Sequence, residues 1–406
     1  MSYYPTTYNE YFYKEDITLN DLIDGENTPF INPDVIKILK QLNKEEYNKM
    51  KPYILFLGVS DTQLSTLKTA YDLGIGIIGI DRNKNAQGRK YCDHFFCMDC
   101  TKVREIYNAV WALSIDLIGI WANNDILVVY RTLLSEAFGL YDISSGEALK
   151  MMNKVEFNAQ NKYAAPSITV KDTVNTKKKY IVKPVNGSGS QGIKIVSAFD
   201  VLNNIGVDNI IEEFLEGYEL AVNVVSDYGQ IYQMGALYRY FNHDEHPVPL
   251  GGITYNEEIL ETVYSAIGEL IPFDISCQFK VDVLISDGKI YILEMSPRFH
   301  GEVDELIYGE DRYSLRYFTW KLSGDLTPID FTGKYRGYFS MFNLNTPHGN
   351  MIDGINLTKY VPHIRNFIKG IPQSTQDITG YALFETDKHI STEQFIKISK
   401  ELNNEI

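Results

Sequence analysis

The sequence is poor in the features that mark several large protein classes. Four of its 406 residues are cysteine, too few for a disulfide framework, so reduced thiols are expected. No uninterrupted apolar run approaches the ~18 residues of a membrane span, and the tyrosine-rich, acid-containing N-terminal stretch has no signal-peptide hydrophobic segment. A cytoplasmic protein with no membrane partner is expected. A basic stripe with interleaved aromatics is also missing, and a formal charge of −15 would repel a polyphosphate backbone, which argues against nucleic acid as a partner. The basic run Lys177 to Lys179 lies among polar residues and reads as a solvated loop. There is no repeat and no low-complexity tract.

What is present is an ordinary globular composition, 44% hydrophobic and 22% charged, with length for about two to three domains. Two clusters invite a metal. Cys92, Cys97 and Cys100 surround His94, but their spacing lacks the paired CxxC knuckles of structural zinc sites, and Cys97 sits in HFFCM, which reads as a buried strand. His243 and His246 stand three apart in the proline-containing loop HDEHPVPLGG and share no fixed face. Neither cluster is expected to hold a metal.

Residues 1–50 show no domain pattern beyond a helix expected near 33–42. From Tyr53 the pattern sharpens: YILFLG reads as a buried strand, Ser60 and Asp61 as helix caps, Leu64, Leu67 and Tyr71 as a helical stripe, and IGIIGID as a second strand. LIGIWA (117–122) and a helix over 126–138 extend this grammar, so residues 51–150 are expected to form a parallel sheet flanked by helices. Gly74, Gly76 and Gly79 spell G-x-G-x-x-G, yet they follow a helix and lie inside a strand, where a pyrophosphate could not meet a helix N-terminus. Asp81 does stand where a ribose-binding acid would, which keeps a dinucleotide site as a minor alternative.

Beyond residue 180 the grammar turns antiparallel. Strands are expected at 180–185, 192–196, 209–215, 219–227, 230–241, 277–287 and 289–296, with one amphipathic helix over 256–270, capped by Asn256 and burying Ile259, Val263, Ile267 and Leu270.

Three segments carry chemistry. In IVKPVNGSGSQGIKIV, Gly187, Gly189 and Gly192 again match G-x-G-x-x-G, but a strand follows, so the loop is neither a dinucleotide turn nor a Walker loop. A hairpin flap remains: glycines let backbone N–H groups approach phosphate oxygens, Ser188 and Ser190 add hydroxyl donors, and Lys183 on the incoming strand supplies a point charge. The same pattern would also suit a flexible hairpin beside a solvated lysine. EEFLEGYE (212–219) connects two strands, so that the backbone of Glu213 and Leu215 could meet an adenine edge and Glu219 could accept from ribose hydroxyls; an acidic surface turn is the alternative.

The third segment, FKVDVLISDGKIYILEMSPR (279–298), is a hairpin around Asp287-Gly288. A two-residue turn in a regular ladder would send Asp282 and Glu294 to opposite faces. A three-residue loop pairs Ile285 with Lys289 and puts Glu294 opposite Lys280, with Asp282 its diagonal neighbour. Lys280, Asp282, Glu294 and Ser296 then share one face, and Phe279, Val281, Val283, Tyr291, Leu293 and Met295 the other. The apolar alternation favours this register. Two carboxylates roughly 7 Å apart repel unless a cation lies between them. Hard oxygen donors suggest Mg²⁺ or Mn²⁺ held jointly with substrate phosphates, and a salt-bridged solvent face is the alternative.

Taken in order, MMNK, KPVNGSGSQG, EEFLEGYE, DVLISDGKIYILEMSPR and GYALFETDKHISTEQFIKIS resemble the ATP-grasp superfamily, in particular the carboxylate-amine ligases related to D-alanine ligase, biotin carboxylase and the carbamoyl phosphate synthetase large subunit. The resemblance covers roughly residues 51–406 and rests on no single motif. It implies a mixed α/β and α+β fold: an extension over 1–50, a Rossmann-like pre-ATP-grasp domain over 51–150, and two antiparallel subdomains, 151–215 and 216–406, that sandwich the nucleotide. It implies that Lys154 approaches the nucleotide and that Lys183 and the flap residues Ser188, Gly189, Ser190 and Gly192 bind the phosphates of ATP. Glu212, Glu213 and Leu215 would meet adenine, and Glu219 ribose. Asp282, Glu294 and Ser296 would ligate Mg²⁺, although Ser296 stands where the family usually has Asn and is a weaker ligand. Arg298 would bind the substrate carboxylate or acyl phosphate. The implied reaction joins a small carboxylate to an amine through an acyl phosphate, releasing ADP and phosphate. Relatives are commonly dimers, and specificity is expected in loops 241–255 and 298–306. A kinase-like enzyme that stops at phosphoryl transfer and a non-catalytic nucleotide-binding protein are the alternatives.

Overall fold

The computed structural model describes residues 51–60, 63–122, 124–168, 174–186, 192–204, 206, 208–242, 246–300, 313–324, 335–342, 367–370 and 380–404. The helix expected near 33–42, His243, most of the glycine flap and loop 301–306 lie outside them. Among the described residues no helix is long and apolar enough to cross a membrane.

The first sheet is parallel. It is built from β1 (Pro52–Leu57), α1 (Leu64–Asp72), β2 (Gly76–Ile80), β3 (His94–Phe96), α2 (Val103–Trp111) and β4 (Asp116–Ala122), with spatial order β3-β2-β1-β4. Every residue of β2 is buried, as a parallel strand covered on both faces requires. Leu55 and Leu57 pack toward α2, while Ile54 and Phe56 pack toward α1 and the rest of the molecule. Gly76 is glycine for a packing reason: a Cβ there would stand 2.3 Å from the Tyr53 ring. Asp81 accepts from the backbone N–H of Val59 and of Asn83, so it ties the loops after β1 and β2 together. Strand β3 stops before Cys97, which is exposed, contrary to the buried strand expected there. The thiols of Cys92, Cys97 and Cys100 face separate backbone carbonyls, and burial pushes Cys92 and Cys100 up to about 12.

Three helices follow: α3 (Asp125–Ala137), α4 (Ser145–Met152) and α5 (Lys154–Gln160). Asn124, Ser144 and Asn153 cap them by accepting from backbone N–H groups of the first turn. A small antiparallel sheet comes next, with β5 (Ser167–Ile168), β6 (Lys179–Pro184), β7 (Lys194–Ser197), the short α6 (Val201–Asn204) and β8 (Asn209–Glu213), in order β5-β8-β6-β7.

Among the described residues the largest sheet has eight strands. Its members are β9 (Tyr218–Asp227), β10 (Gln230–Asn242), β11 (His246–Thr254), β12 (Ser276–Ser286) and β13 (Lys289–Ser296), then β14 (Tyr335–Met341), β15 (Phe367–Gly370) and β16 (Gly380–Thr386), in order β13-β12-β9-β10-β11-β14-β16-β15. Helices α7 (Ile259–Gly268), α8 (Tyr313–Ser323) and α9 (Thr392–Asn404) pack on it. Strand β11 corrects the expected loop 241–255: it pairs with β10 and β14. Helix α7 starts three residues after the expected cap Asn256 and buries Leu260, Val263, Tyr264, Ala266 and Ile267. The closing strand and helix expected in the last segment are β16 and α9; Phe395 of α9 stacks on Tyr240 at 3.8 Å and on Phe339 at 4.3 Å. Each fully buried aromatic or aliphatic side chain of these clusters stabilises the fold by about 1.5–3 kcal/mol.

Candidate active site

The hairpin of β12 and β13 sets the site's polarity. Asp287 (φ 49°) and Gly288 (φ 72°) make a two-residue turn, and Ser286 pairs with Lys289. This overturns the three-residue loop. The regular ladder that follows would have split the two acids, but a bulge at Leu293 inserts one extra residue and restores parity, so that Asp282 stands directly opposite Glu294 and Lys280 opposite Ser296. The four polar residues therefore share a face as expected, by a different register. The bulge also re-sorts the apolar residues: Ile292, Val283, Val281 and Met295 enter the core, whereas Leu293, expected there, turns to a cavity with Leu284.

That cavity, about 770 Å³, lies between the small and the large sheet, a size suited to a nucleotide. Lys183, Glu212, Glu213, Leu215 and Glu219 all line it, together with Tyr238, Arg239 and Thr392. Their chemistry differs from residue to residue. Lys183 Nζ donates to Glu212 Oε2 at 2.6 Å, both side chains being nearly inaccessible, and Asn158 Nδ2 donates to Glu212 Oε1 at 2.9 Å. The Glu212 carboxylate is thus a buried counter-ion for Lys183. Glu213 spends its backbone N–H on Pro166 and its carboxylate on Lys178 at 2.6 Å. Glu219 is partly buried on β9, and burial raises its carboxyl to about 7, with Asp282 adding to the rise and Arg239 opposing it. Gly192 has φ 73° at the exit of the flap; Ser188, Gly189 and Ser190 lie outside the described residues.

Beyond the cavity wall the charges form a continuous chain. Arg239 of β10 reaches Asp282 Oδ1 at 2.9 Å, and His300 Nε2 lies 2.9 Å from the same oxygen. Asn223 Oδ1 accepts from the His300 backbone N–H at 2.9 Å and lies 3.0 Å from Nδ1, which fixes the ring. Lys280 Nζ sits between the two acids, 2.6 Å from Glu294 Oε1 and 3.8 Å from Asp282 Oδ2, and Lys154 Nζ is 3.9 Å from Glu294 Oε2. Burial by itself would raise both carboxyls, but Arg239 and Lys280 hold Asp282 well below the usual range, and Lys280 and Lys154 hold Glu294 below it. Burial pushes His300 down to about 4 against the pull of Asp282.

Arg298 follows β13 and turns to the first sheet. Its Nε donates to Asp125 Oδ1 at 2.6 Å and its Nη2 to Asp125 Oδ2 at 2.7 Å, while Ser296 Oγ donates to Oδ1 at 2.9 Å. Burial would raise the Asp125 carboxyl, but Arg298 and Lys280 hold it far down. Sequence reasoning missed Asp125, Arg239, Asn158 and His300; an aspartate at a helix start signals a cap or dipole partner, and the other three carried no signal.

The residues fit a divalent cation in part. Asp282 and Glu294 face each other with 16% and 24% of their side chains exposed and offer hard oxygens. Among the described residues no three His, Cys, Asp or Glu side chains converge on a site made by protein alone, so such a cation would need phosphate oxygens as well. Ser296, 1% exposed, donates its hydroxyl to Asp125.

The comparisons with known proteins agree with this geometry. Residues 149–302 match the family model of the ATP-grasp domain. The 3-methyl-D-ornithine–L-lysine ligase of Methanosarcina barkeri is 23% identical over 154 residues, 38% of this chain and 42% of that enzyme. The chain thus spans less than half the length of the curated relatives it matches. The L-amino acid ligase of Bacillus licheniformis superposes with a TM-score of 0.66 over 87% of this chain and 97% of that one at 15% identity. The N5-carboxyaminoimidazole synthetase of Staphylococcus aureus, in complex with ADP, superposes with a TM-score of 0.62 over 86% and 96% at 14% identity. Residues 149–302 thus match the ATP-grasp domain model, and over most of its length the chain shares the fold of these solved structures.

Proposed function

We propose that this protein is an ATP-dependent ligase that joins a small carboxylate to an amine through an acyl phosphate, releasing ADP and phosphate. The observation that carries the reading is the continuity of one polar face. A cavity of about 770 Å³ holding Lys183 and Glu219 passes through Arg239 to the facing carboxylates Asp282 and Glu294, with Arg298 beyond them.

In this reading Lys183 and Lys154 neutralise phosphate oxygens, and Glu219 accepts from ribose hydroxyls. Asp282 and Glu294 would hold Mg²⁺ or Mn²⁺, which supplies charge neutralisation on the triphosphate. Arg298 orients the acid. The carboxylate oxygen attacks the γ-phosphorus and the bond to ADP breaks. The amine nitrogen then attacks the carbonyl carbon, phosphate leaves with the electron pair, and the nitrogen loses its proton. The acyl phosphate must be kept from water, a task for the loop 187–192. The names of the relatives make amino acids the first acids and amines to try.

The test is ADP release from a panel of amino acids, each alone and with a second amino acid as amine. Release that depends on both partners, with a new amide detected by mass spectrometry, supports the ligase. ADP release with the acid alone and a stable phosphorylated product would favour the kinase-like alternative. Nucleotide binding without turnover on any pair would refute both.

A further inference from the structure

We infer that Asp125 is a positioning residue: it acts through Arg298, and Ser296 belongs to the same clamp. The inference rests on the reading that Arg298 meets the acid or its acyl phosphate. Asp125 is the first residue of α3, just past the carboxyl end of β4, where the strand order of the parallel sheet reverses between β1 and β4. That is the crevice in which open parallel sheets place ligands, and the positive end of a helix favours a carboxylate there.

The contact is side-on and two-pronged, at 2.6 and 2.7 Å, and Arg298 Nη1 donates to the Phe299 carbonyl at 2.9 Å. The guanidinium plane is therefore held on two sides by groups from different parts of the chain. A fork fixed in this way presents oriented N–H groups to an incoming anion, which a freely rotating arginine does not. Asp125 is 7% exposed and Ser296 1% exposed. The short Ser296 hydroxyl reaches Asp125 Oδ1 from β13 while both Arg298 bonds to Asp125 stay in place. This assigns the serine of E-M-S-P-R to the orientation of Arg298, and through it β13 is tied to the start of α3.

The experiment uses the full chain with acetyl phosphate as the probe of the acyl phosphate subsite and MgADP as the nucleotide. Arg298 Nε–H is followed by ¹⁵N NMR, and MgADP affinity by calorimetry. In the wild type acetyl phosphate should shift the Arg298 resonance. In D125N the acetyl phosphate affinity should fall about tenfold with MgADP affinity unchanged, and D125E should recover part of the loss. S296A should show a smaller fall. D125N/S296A should be no weaker than D125N, because the hydroxyl works through the carboxylate. Unchanged or tighter acetyl phosphate binding in D125N overturns the inference, and tighter binding would make Asp125 a competitor for the guanidinium. An equal fall in MgADP affinity, or no wild-type response to acetyl phosphate, also overturns it. If the wild type fails to bind MgADP, the nucleotide reading fails, while the exchange protection of Arg298 Nε–H still reports whether the clamp exists.

Discussion

Replacing Glu219 by glutamine removes a titrating group from the cavity wall without changing its size, and the expected effect has a sign that depends on pH. Burial raises the carboxyl from its usual 4.5 to about 7. Below about pH 4.5 it is protonated in both folded and unfolded chains and makes no difference to stability. Between 4.5 and about 7 the unfolded chain ionises first, so the native state loses stability as pH rises, and above about 7 it carries the whole cost. The rise corresponds to about 3 kcal/mol, an upper bound because one flank of the side chain borders an open cavity. His300 works in the opposite direction: burial holds it at about 4 instead of 6.5, so its contribution grows as pH rises between those values. The difference between variant and wild type isolates Glu219. Urea unfolding of both proteins at about pH 5 and about pH 8 should show E219Q gaining up to about 3 kcal/mol relative to wild type. A gain independent of pH, or one that shrinks as pH rises, would refute the reasoning. Ribose hydroxyls should favour the ionised form, so wild-type ATP affinity should rise over the same range and that of E219Q should not.

Three further outcomes follow from the geometry. K183M leaves the Glu212 carboxylate buried without its cation and should cost about 3–5 kcal/mol in urea unfolding, much of it recovered in K183M/E212L, while both variants lose ATP affinity in calorimetry. D282N and E294Q should each lower ATP consumption about a hundredfold or more in an ADP-release assay, and full activity in either would sink the enzymatic reading. G288A forces a side chain into a left-handed turn position and should cost about 1 kcal/mol by urea unfolding, with ADP release unchanged where the protein stays folded.

Much of the fold was legible because its signals are local. Continuous apolar runs such as GIIGI announce buried parallel strands, and Asp287-Gly288 announces a hairpin within two residues of sequence. The common face of Lys280, Asp282, Glu294 and Ser296 was also legible, since alternation carries it. The register was not. A tight turn and a bulge at Leu293 give the same parity as one longer loop, and a bulge has no dependable mark in a strand of mixed apolar and polar residues. Strand β11 was hidden for a similar reason: HPVPLGGIT contains prolines and glycines that read as a loop, yet the strand pairs with β10 and β14.

Sequence alone determined the order of segments, the two grammars of sheet, and which residues could carry charge to a phosphate or a metal, because periodicity and turn chemistry act over a few residues. Tertiary structure decided which charge meets which. Lys183 is bound to Glu212, Lys280 stands between Glu294 and Asp282, and Arg298 is held by Asp125, 173 positions earlier in the chain. Lys183 meets Glu212 across β6 and β8, Lys280 meets both acids across β12 and β13, and Arg298 after β13 meets Asp125 at the start of α3; electrostatic pairing depends on distances that only strand register and the packing of these elements set.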